Sequence, residues 1–350
     1  MRIEEYIEKA SSIGGSDVHI VCGLPPKCRK DGKLIDIFPE ILDAGACEKI
    51  AGELAGDRYE AIEKIGELDM AKTIAGERVR INIFRQQGNV SVALRILANE
   101  IPELESLNLP PIVSEFASYQ KGIVLVTGET GSGKSTTLAS ILDRINHDRT
   151  QHIITLEDPI EYIYTPDKSV INQREIGKDT RSYADGLRAI LREDPDVILI
   201  GEMRDLNTIE TALTAAETGH LVFATIHTNS APDSIDRIVG AFPADRQPQI
   251  RMQLSTTLKA VLSQQLLPRK SGEGRIAACE VMVVTPAVKN LIREGKTPQM
   301  MSAMISATMQ GSVSMDNYLI SMLRKGLISQ DVAANAAFDN DYVKRKGCGA

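Results

Sequence analysis

"GETGSGKSTT", residues 128–137, follows a run of branched apolar residues, "GIVLVTG", that begins at Gly122. Gly128, Gly133, Lys134 and Ser135 fit the pattern G-x-x-x-x-G-K-[ST], and they sit between a buried-strand signal and a helix start, the context this chemistry needs. The stretch Gly128, Glu129, Thr130, Gly131, Ser132, Gly133, Lys134, Ser135 and Thr136 is therefore expected to cradle nucleotide phosphates. Glycines let backbone N–H groups curl around the anion, Lys134 reaches the terminal phosphates, and the Ser135 hydroxyl can ligate Mg²⁺. A glycine-rich helix cap would require neither the Lys-Ser pair nor the strand before it. ATP or GTP is the expected ligand.

Downstream, the apolar runs "HIITLE", "VILIGE" and "LVFATIH" alternate with helical patterns at 182–192 and 206–218. That alternation predicts an α/β core with a mostly parallel sheet and crossover helices. Upstream, "VRINIFRQQGNVSVALRIL" reads as two strands around a Gly88-Asn89 turn, in an N-terminal α+β domain. Regular periodicity gives way to prolines and acids in "LANEIPELESLNLPP", residues 97–111. The expected organisation is an N-terminal domain over 1–100, a linker over 101–112 and the nucleotide-binding core over 113–350, its C-terminal region helical. Two domains is also what 350 residues imply.

Hydrolysis needs acids near the attacking water. In "DPDVILIGEMRD" the buried run ends at Gly201-Glu202, which places Glu202 at a strand's carboxyl end, where it can polarise water or hold the water shell of a metal. Many nucleotide-binding loops are partnered by an Asp at the position of Gly201, so another acid must help. "ITLEDPIEY" offers Glu157, Asp158 and Glu161, with Pro159 forcing the chain out of its strand. Three crowded carboxylates call for a cation, and Glu157 is a candidate Mg²⁺ partner, directly or through water. His220 and His227 bracket the strand "LVFATI"; each is either a polar sensor of the γ-phosphate or of a neighbouring subunit, or a structural strand-end histidine. In the first domain Arg78, Arg80 and Asn82 share one strand face opposite Val79, Ile81 and Ile83, while Arg95 opposes Val92, Leu94 and Ile96 on the return strand. This basic face is either solvated or brought to phosphates by closure of the domain or by a neighbouring subunit.

Composition narrows the partners. The chain is 43% hydrophobic and 25% charged, an ordinary globular balance, and its net charge of -7 argues against a nucleic-acid-binding surface. Five scattered cysteines, Cys22, Cys28, Cys47, Cys279 and Cys348, form neither a disulfide framework nor a CxxC pair, which fits a reducing cytoplasm. The N-terminus carries acids where a secretory signal would be apolar, and no run reaches the roughly 18 residues of a membrane span.

Taken together, "GETGSGKST", "ITLEDPIEY", "ILIGEMRD" and "AAETGHLVFATIHTNS" resemble the Walker A loop, Asp box, Walker B and His box of the secretion-superfamily hexameric ATPases, in their usual order. "GGSDVHI", "GLPPKCRKDGKL" and "AVKNLIREGKTPQM" (287–300) are similar to segments of the branch that retracts type IV pili. The resemblance runs from about residue 4 to 330 and implies a PAS-like N-terminal domain, a RecA-like P-loop ATPase domain and a ring of six. It implies that Glu202 and Glu161 are the candidates for water activation, that Glu157 and Lys134 serve catalysis beside them, that His220 and His227 line the nucleotide side, and that Arg80 and Arg95 reach phosphates, with Arg78 a weaker match. It implies a cytoplasmic motor at the inner-membrane face that meets a pilus platform protein through contacts rather than a transmembrane segment. Ala224, where Gly is common, and Val288-Lys289, in place of Ile-Arg, are departures that remove no catalytic group. Pilus extension and type II secretion ATPases share every catalytic motif, but they usually carry a longer N-terminal region and a CxxC zinc motif, and here only Cys279 lies in that region. A RecA-like DNA motor would share the loop, and the acidic balance argues against it. A scaffold that binds ATP without turnover would not need Glu161 and Glu202 together.

Overall fold

A computed structural model describes residues 2–30, 33–97 and 100–347, and these form two compact units. The first takes the chain to Glu100 and adds a separate stretch, Asp158–Ile163. The second takes Ile101–Glu157 and the chain from Tyr164 onward.

The first unit is built on strands β1 (Asp17–Ile20), β2 (Lys27–Lys30), β3 (Lys33–Asp36), β4 (Glu67–Ile74), β5 (Glu77–Gln86) and β6 (Asn89–Ile96). They form one sheet in the order β3-β2-β1-β6-β5-β4, every pairing antiparallel. The predicted hairpin is β5-β6, with its turn one residue earlier than expected. Gln86 already pairs with Asn89, and Gln87 and Gly88 occupy the turn at φ 48° and 79°. Positive φ at both central residues is the backbone twist that suits a two-residue hairpin. Val79, Ile81, Ile83, Val92 and Leu94 point to one face and are buried against the helices Ile3–Ser12 and Ala44–Ala55, which contribute Tyr6, Ile7, Ile50 and Leu54. The Asp43 carboxylate accepts from the Ala46 N–H and starts the second of these helices, a cap worth about 1 kcal/mol. The opposite face carries Arg78, Arg80, Asn82 and Arg95.

The second unit contains β7 (Gly122–Thr127), β8 (His152–Glu157), β9 (Val170–Glu175), β10 (Val197–Ile200), β11 (Leu221–Ile226), β12 (Leu258–Pro268) and β13 (Arg275–Val283). The sheet order is β13-β12-β7-β11-β10-β8-β9, parallel throughout except for the β12-β13 pair. Helices Lys134–Asp148, Tyr183–Ile190 and Leu206–Glu217 make the crossovers, so β7, β10 and β11 are buried on both faces. The stretch 101–112 is not a bare tether. Leu104 is buried, Ser140 Oγ donates to the Pro102 carbonyl at 2.7 Å, and Arg144 pairs with Glu105, which fastens the stretch along the helix Lys134–Asp148. At the other end, the helices Met315–Arg324, Gln330–Ala336 and Asn340–Gly347 close over Leu267 and Ile276 with Met315, Leu319, Ala333 and Val343. Cys22, Cys28, Cys47 and Cys279 are free thiols, and Cys348 lies outside the described residues. Among those residues no helix is long and apolar enough to cross a membrane.

One buried carboxyl group ties this unit together. Glu280 on β13 is fully buried, and its carboxylate accepts from the N–H groups of Ala231 at 2.8 Å and Met315 at 3.5 Å, each the first residue of a helix. Burial pushes its carboxyl up to about 7; the two N–H groups oppose this, and the charges of Asp233 and Asp316 add to it. The folded chain thus holds this proton more tightly than the unfolded chain, whose group titrates near 4.5. The associated stability is complete below pH 4.5 and is lost as pH rises toward 7. Thermal unfolding of Glu280→Gln beside the parent should show the variant gaining relative stability from about pH 5 to 8, by on the order of 1–3 kcal/mol. A difference that stays constant over this range would contradict the assignment.

Candidate nucleotide site

The parallel sheet delivers β7 directly into Gly128. Its φ of 138° suits glycine, and a Cβ there would lie 2.3 Å from the Gln264 carbonyl oxygen and 2.6 Å from Ser132 Oγ. Gly131 and Gly133 hold φ of 81° and 93°, and Gly133 caps the helix Lys134–Asp148. The loop therefore ends at the positive end of a 15-residue helix. Lys134 is 9% exposed, and its ammonium donates to the carbonyls of Gly128 and Glu129, both at 2.8 Å. Ser132 Oγ is buried without a hydrogen-bond partner. Leaving a hydroxyl so costs about 1–3 kcal/mol, a penalty that an acceptor oxygen in the loop would remove. A buried ammonium, an unpartnered hydroxyl and a helix N-terminus around one glycine loop fit a polyphosphate.

Glu202 leaves the end of β10, and His227 leaves the end of the neighbouring β11. Their side chains meet, His227 Nε2 to Glu202 Oε1 at 3.1 Å, and Arg204 Nη2 holds the other carboxylate oxygen at 2.6 Å. Burial works to raise the Glu202 carboxyl, but the bond and charge of Arg204, with those of His227, outweigh it and leave the group below its usual range. Glu202 is thus an oriented carboxylate. Gly201 is explained by the end of β8. Its N–H donates to the Leu156 carbonyl at 2.8 Å, and a Cβ would lie 2.9 Å from Tyr183 Oη and 3.0 Å from the Leu156 oxygen. A side chain at that position would be tight, requiring the Tyr183 hydroxyl to shift.

Glu157 ends β8, where Thr155 Oγ1 donates to its Oε1 at 2.7 Å and Gln173 Nε2, from β9, does so at 3.3 Å. The acids after it part company. Asp158 and Glu161 belong to the first unit and Glu157 to the second, so the expected three-carboxylate cluster is divided between them. Within the first unit, Arg78 donates to the Ile160 carbonyl from Nη2 at 2.8 Å and from Nε at 3.2 Å, and Arg80 Nη1 stands 3.9 Å from Glu161 Oε1.

Arg80 and Arg95 face each other in register across β5-β6, a destabilising arrangement for like charges. Carboxylates on the flanking strands relieve it: Asp69 Oδ2 lies 2.6 Å from Arg80 Nη2, and Asp17 Oδ1 lies 2.9 Å from Arg95 Nε. The row reads Asp17, Arg95, Arg80, Asp69 across four strands. Burial works against the Asp17 charge, yet bonds from Ser16 and Arg95 keep its carboxyl below the usual range. Such exposed pairs are each worth about 0–1 kcal/mol, so they hold the guanidinium groups without locking them.

His220 does not join this group within one chain. It precedes β11, its carbonyl accepts from the Gly122 N–H at the start of β7, and its Nδ1 lies 2.9 Å from the Ala215 carbonyl and 3.2 Å from Thr218 Oγ1. Seven strand steps, roughly 20 Å, separate it from His227. The residues brought to one sheet edge are the loop 128–136, Glu157, Glu202 and His227. Sequence reading missed Arg204, Thr155, Gln173, Asp17 and Asp69. Only Arg204 had a local signal, two residues past Glu202 in "GEMRD".

The chain is similar to several known proteins. The chain is 42% identical over 339 residues to the type IV pilus retraction ATPase PilT of Pseudomonas aeruginosa, covering 96% of this chain and 98% of that protein. It is 38% identical to the type IV pilus ATPase PilU of the same organism, over 97% of this chain and 90% of PilU. A crystal structure of the pilus retraction motor PilT with bound ADP superposes with a TM-score of 0.92 at 46% identity, covering 99% of both chains. The sequence profile of the family described as "Type II/IV secretion system protein" matches residues 69–329. On that match and those identities, the chain belongs to the type II/IV secretion system protein family.

Proposed function

We propose that this chain is an ATP-hydrolysing motor that retracts type IV pili, works as a ring of six, and stands at the cytoplasmic face of the inner membrane against a pilus platform protein. The observation that carries the reading is the convergence at one sheet edge of the phosphate loop with Lys134, Glu157, Glu202 and His227. The likeness to a retraction motor over nearly the whole chain supports the direction of its work. Residues 1–100 serve as the PAS-like domain, 101–112 as the joining stretch and 113–350 as the ATPase domain.

The loop N–H groups and Lys134 bind the triphosphate, with Ser132 Oγ supplying a further polar contact. Mg²⁺, when bound, neutralises phosphate charge, and Ser135 and Glu157 are the residues that would hold it, the latter directly or through water. Glu202, kept ionised by Arg204 and His227, orients the attacking water, and His227 reports on the phosphate through the same carboxylate. Glu161 is the alternative candidate for activating that water. Arg80 and Arg95 are released from Asp69 and Asp17 to reach phosphates. A site made partly of moving groups converts the difference in binding energy between its open and closed forms into displacement.

Two measurements test this reading. Lys134→Ala should abolish nucleotide binding, and Glu202→Ala should retain binding within about tenfold while turnover falls roughly 10²–10⁴-fold; steady-state hydrolysis at the parent rate in the Glu202 variant would sink its role. In the native cell, deletion of the gene should give abundant pili that do not retract. Loss of all pili would overturn retraction in favour of assembly.

A further inference from the structure

The edge of the second unit's sheet opposite the phosphate loop gathers cations. β7 begins at Gly122, preceded by Lys121, and β12 runs parallel beside it. Leu258 pairs with Ile123 and Ala260 with Val124, so Lys259 is the extra residue of a β-bulge. A bulge re-aims the side chain it carries. This one lays Lys259 along Gly122, where a Cβ would lie 2.6 Å from Lys259 Cε and 2.8 Å from its Cγ; Gly122 itself has φ 113°. The Lys259 carbonyl accepts from the Val284 N–H at 3.0 Å, and the next residue, Thr285, caps the helix Pro286–Glu294. Lys289 stands one turn into that helix, its N–H donating to the Thr285 carbonyl at 2.9 Å.

Among the described residues none of Lys121, Lys259 and Lys289 makes a side-chain hydrogen bond or an ion pair. The chain as a whole is acidic, with 47 acidic residues against 40 lysines and arginines. Burial lowers the Lys259 ammonium, and the charges of Lys289 and Lys121 lower it further, so the fold maintains a mutual repulsion here. An anion would relieve it. Three compact ammonium groups, with no planar guanidinium fork among them, suit a tetrahedral dianion better than a flat carboxylate.

We infer that Lys121, Lys259 and Lys289 form a second anion site, at the sheet edge remote from the phosphate loop, which takes a phosphate dianion, either free or as a headgroup phosphate. Its test uses the full chain saturated with a non-hydrolysable ATP analogue, so that the phosphate loop is filled. Trace acylation of lysine amines, read by mass spectrometry at Lys259, is followed while inorganic phosphate is titrated against chloride at matched ionic strength. Phosphate should suppress labelling of Lys259 with saturation and chloride should not, and Lys289→Gln should weaken the phosphate midpoint roughly tenfold. Vesicles containing phosphatidic acid separate the sources: protection by vesicles at phosphate levels where the free ion gives little assigns the site to a headgroup, and the reverse assigns it to the free ion. Equal protection by chloride, an unshifted midpoint in Lys289→Gln, or protection by a glutamate-rich peptide where neither phosphate source protects would each overturn the site.

Discussion

A parallel sheet has a direction, and most of this molecule's chemistry depends on it. Because β7, β8, β10 and β11 run the same way, their carboxyl ends fall along one edge, and whatever follows each strand is presented there. Gly128, Glu157, Glu202 and His227 are far apart in sequence and follow or close four of those strands. The requirement that crossover helices return the chain to the opposite edge each time also explains His220, which is excluded from the group by standing before its strand rather than after it.

Close approach is the second constraint. Gly128 lies against the Gln264 carbonyl, where neighbouring backbone occupies the space of a side chain, and Gly201 lies close to the Tyr183 hydroxyl and the end of β8. Gly201 brings no acid beside Glu202, whose charge environment is supplied by Arg204 and His227. The site therefore resembles a clamp on one carboxylate more than a pair of carboxylates on one metal.

In the second unit the strands legible in the sequence were those of continuous apolar character, "GIVLVT", "HIITLE", "VILI" and "LVFATI", since a continuous branched apolar run has few other uses. β9, "VINQRE", is an edge strand half open to solvent; β12 and β13 carry Lys, Gln, Cys and Glu among their apolar residues, which breaks the continuous run, and of these the Glu280 carboxylate is taken up by two helix N-termini. The loop 128–136 and the ends of β8, β10 and β11 were readable because motif chemistry fixes both residue type and spacing. Asp17 and Asp69 were not, because a carboxylate that partners an arginine on the neighbouring strand leaves no local mark. The division of "EDPIEY" between units was equally invisible, since it depends on Arg78 finding a carbonyl 82 residues later.

That division has a consequence for the connectivity of the chain. The polypeptide passes from the first unit to the second near residue 100, returns for Asp158–Ile163 and leaves again. No single cut of the backbone separates the two units. A fragment ending at residue 100 would carry Arg78 and Arg80 without the Ile160 carbonyl and the Glu161 carboxylate they face, and a fragment beginning at 101 would carry six residues whose own unit is missing. In evolutionary terms the N-terminal domain is not freely exchangeable: a graft must match "DPIEYI" in the other half of the chain.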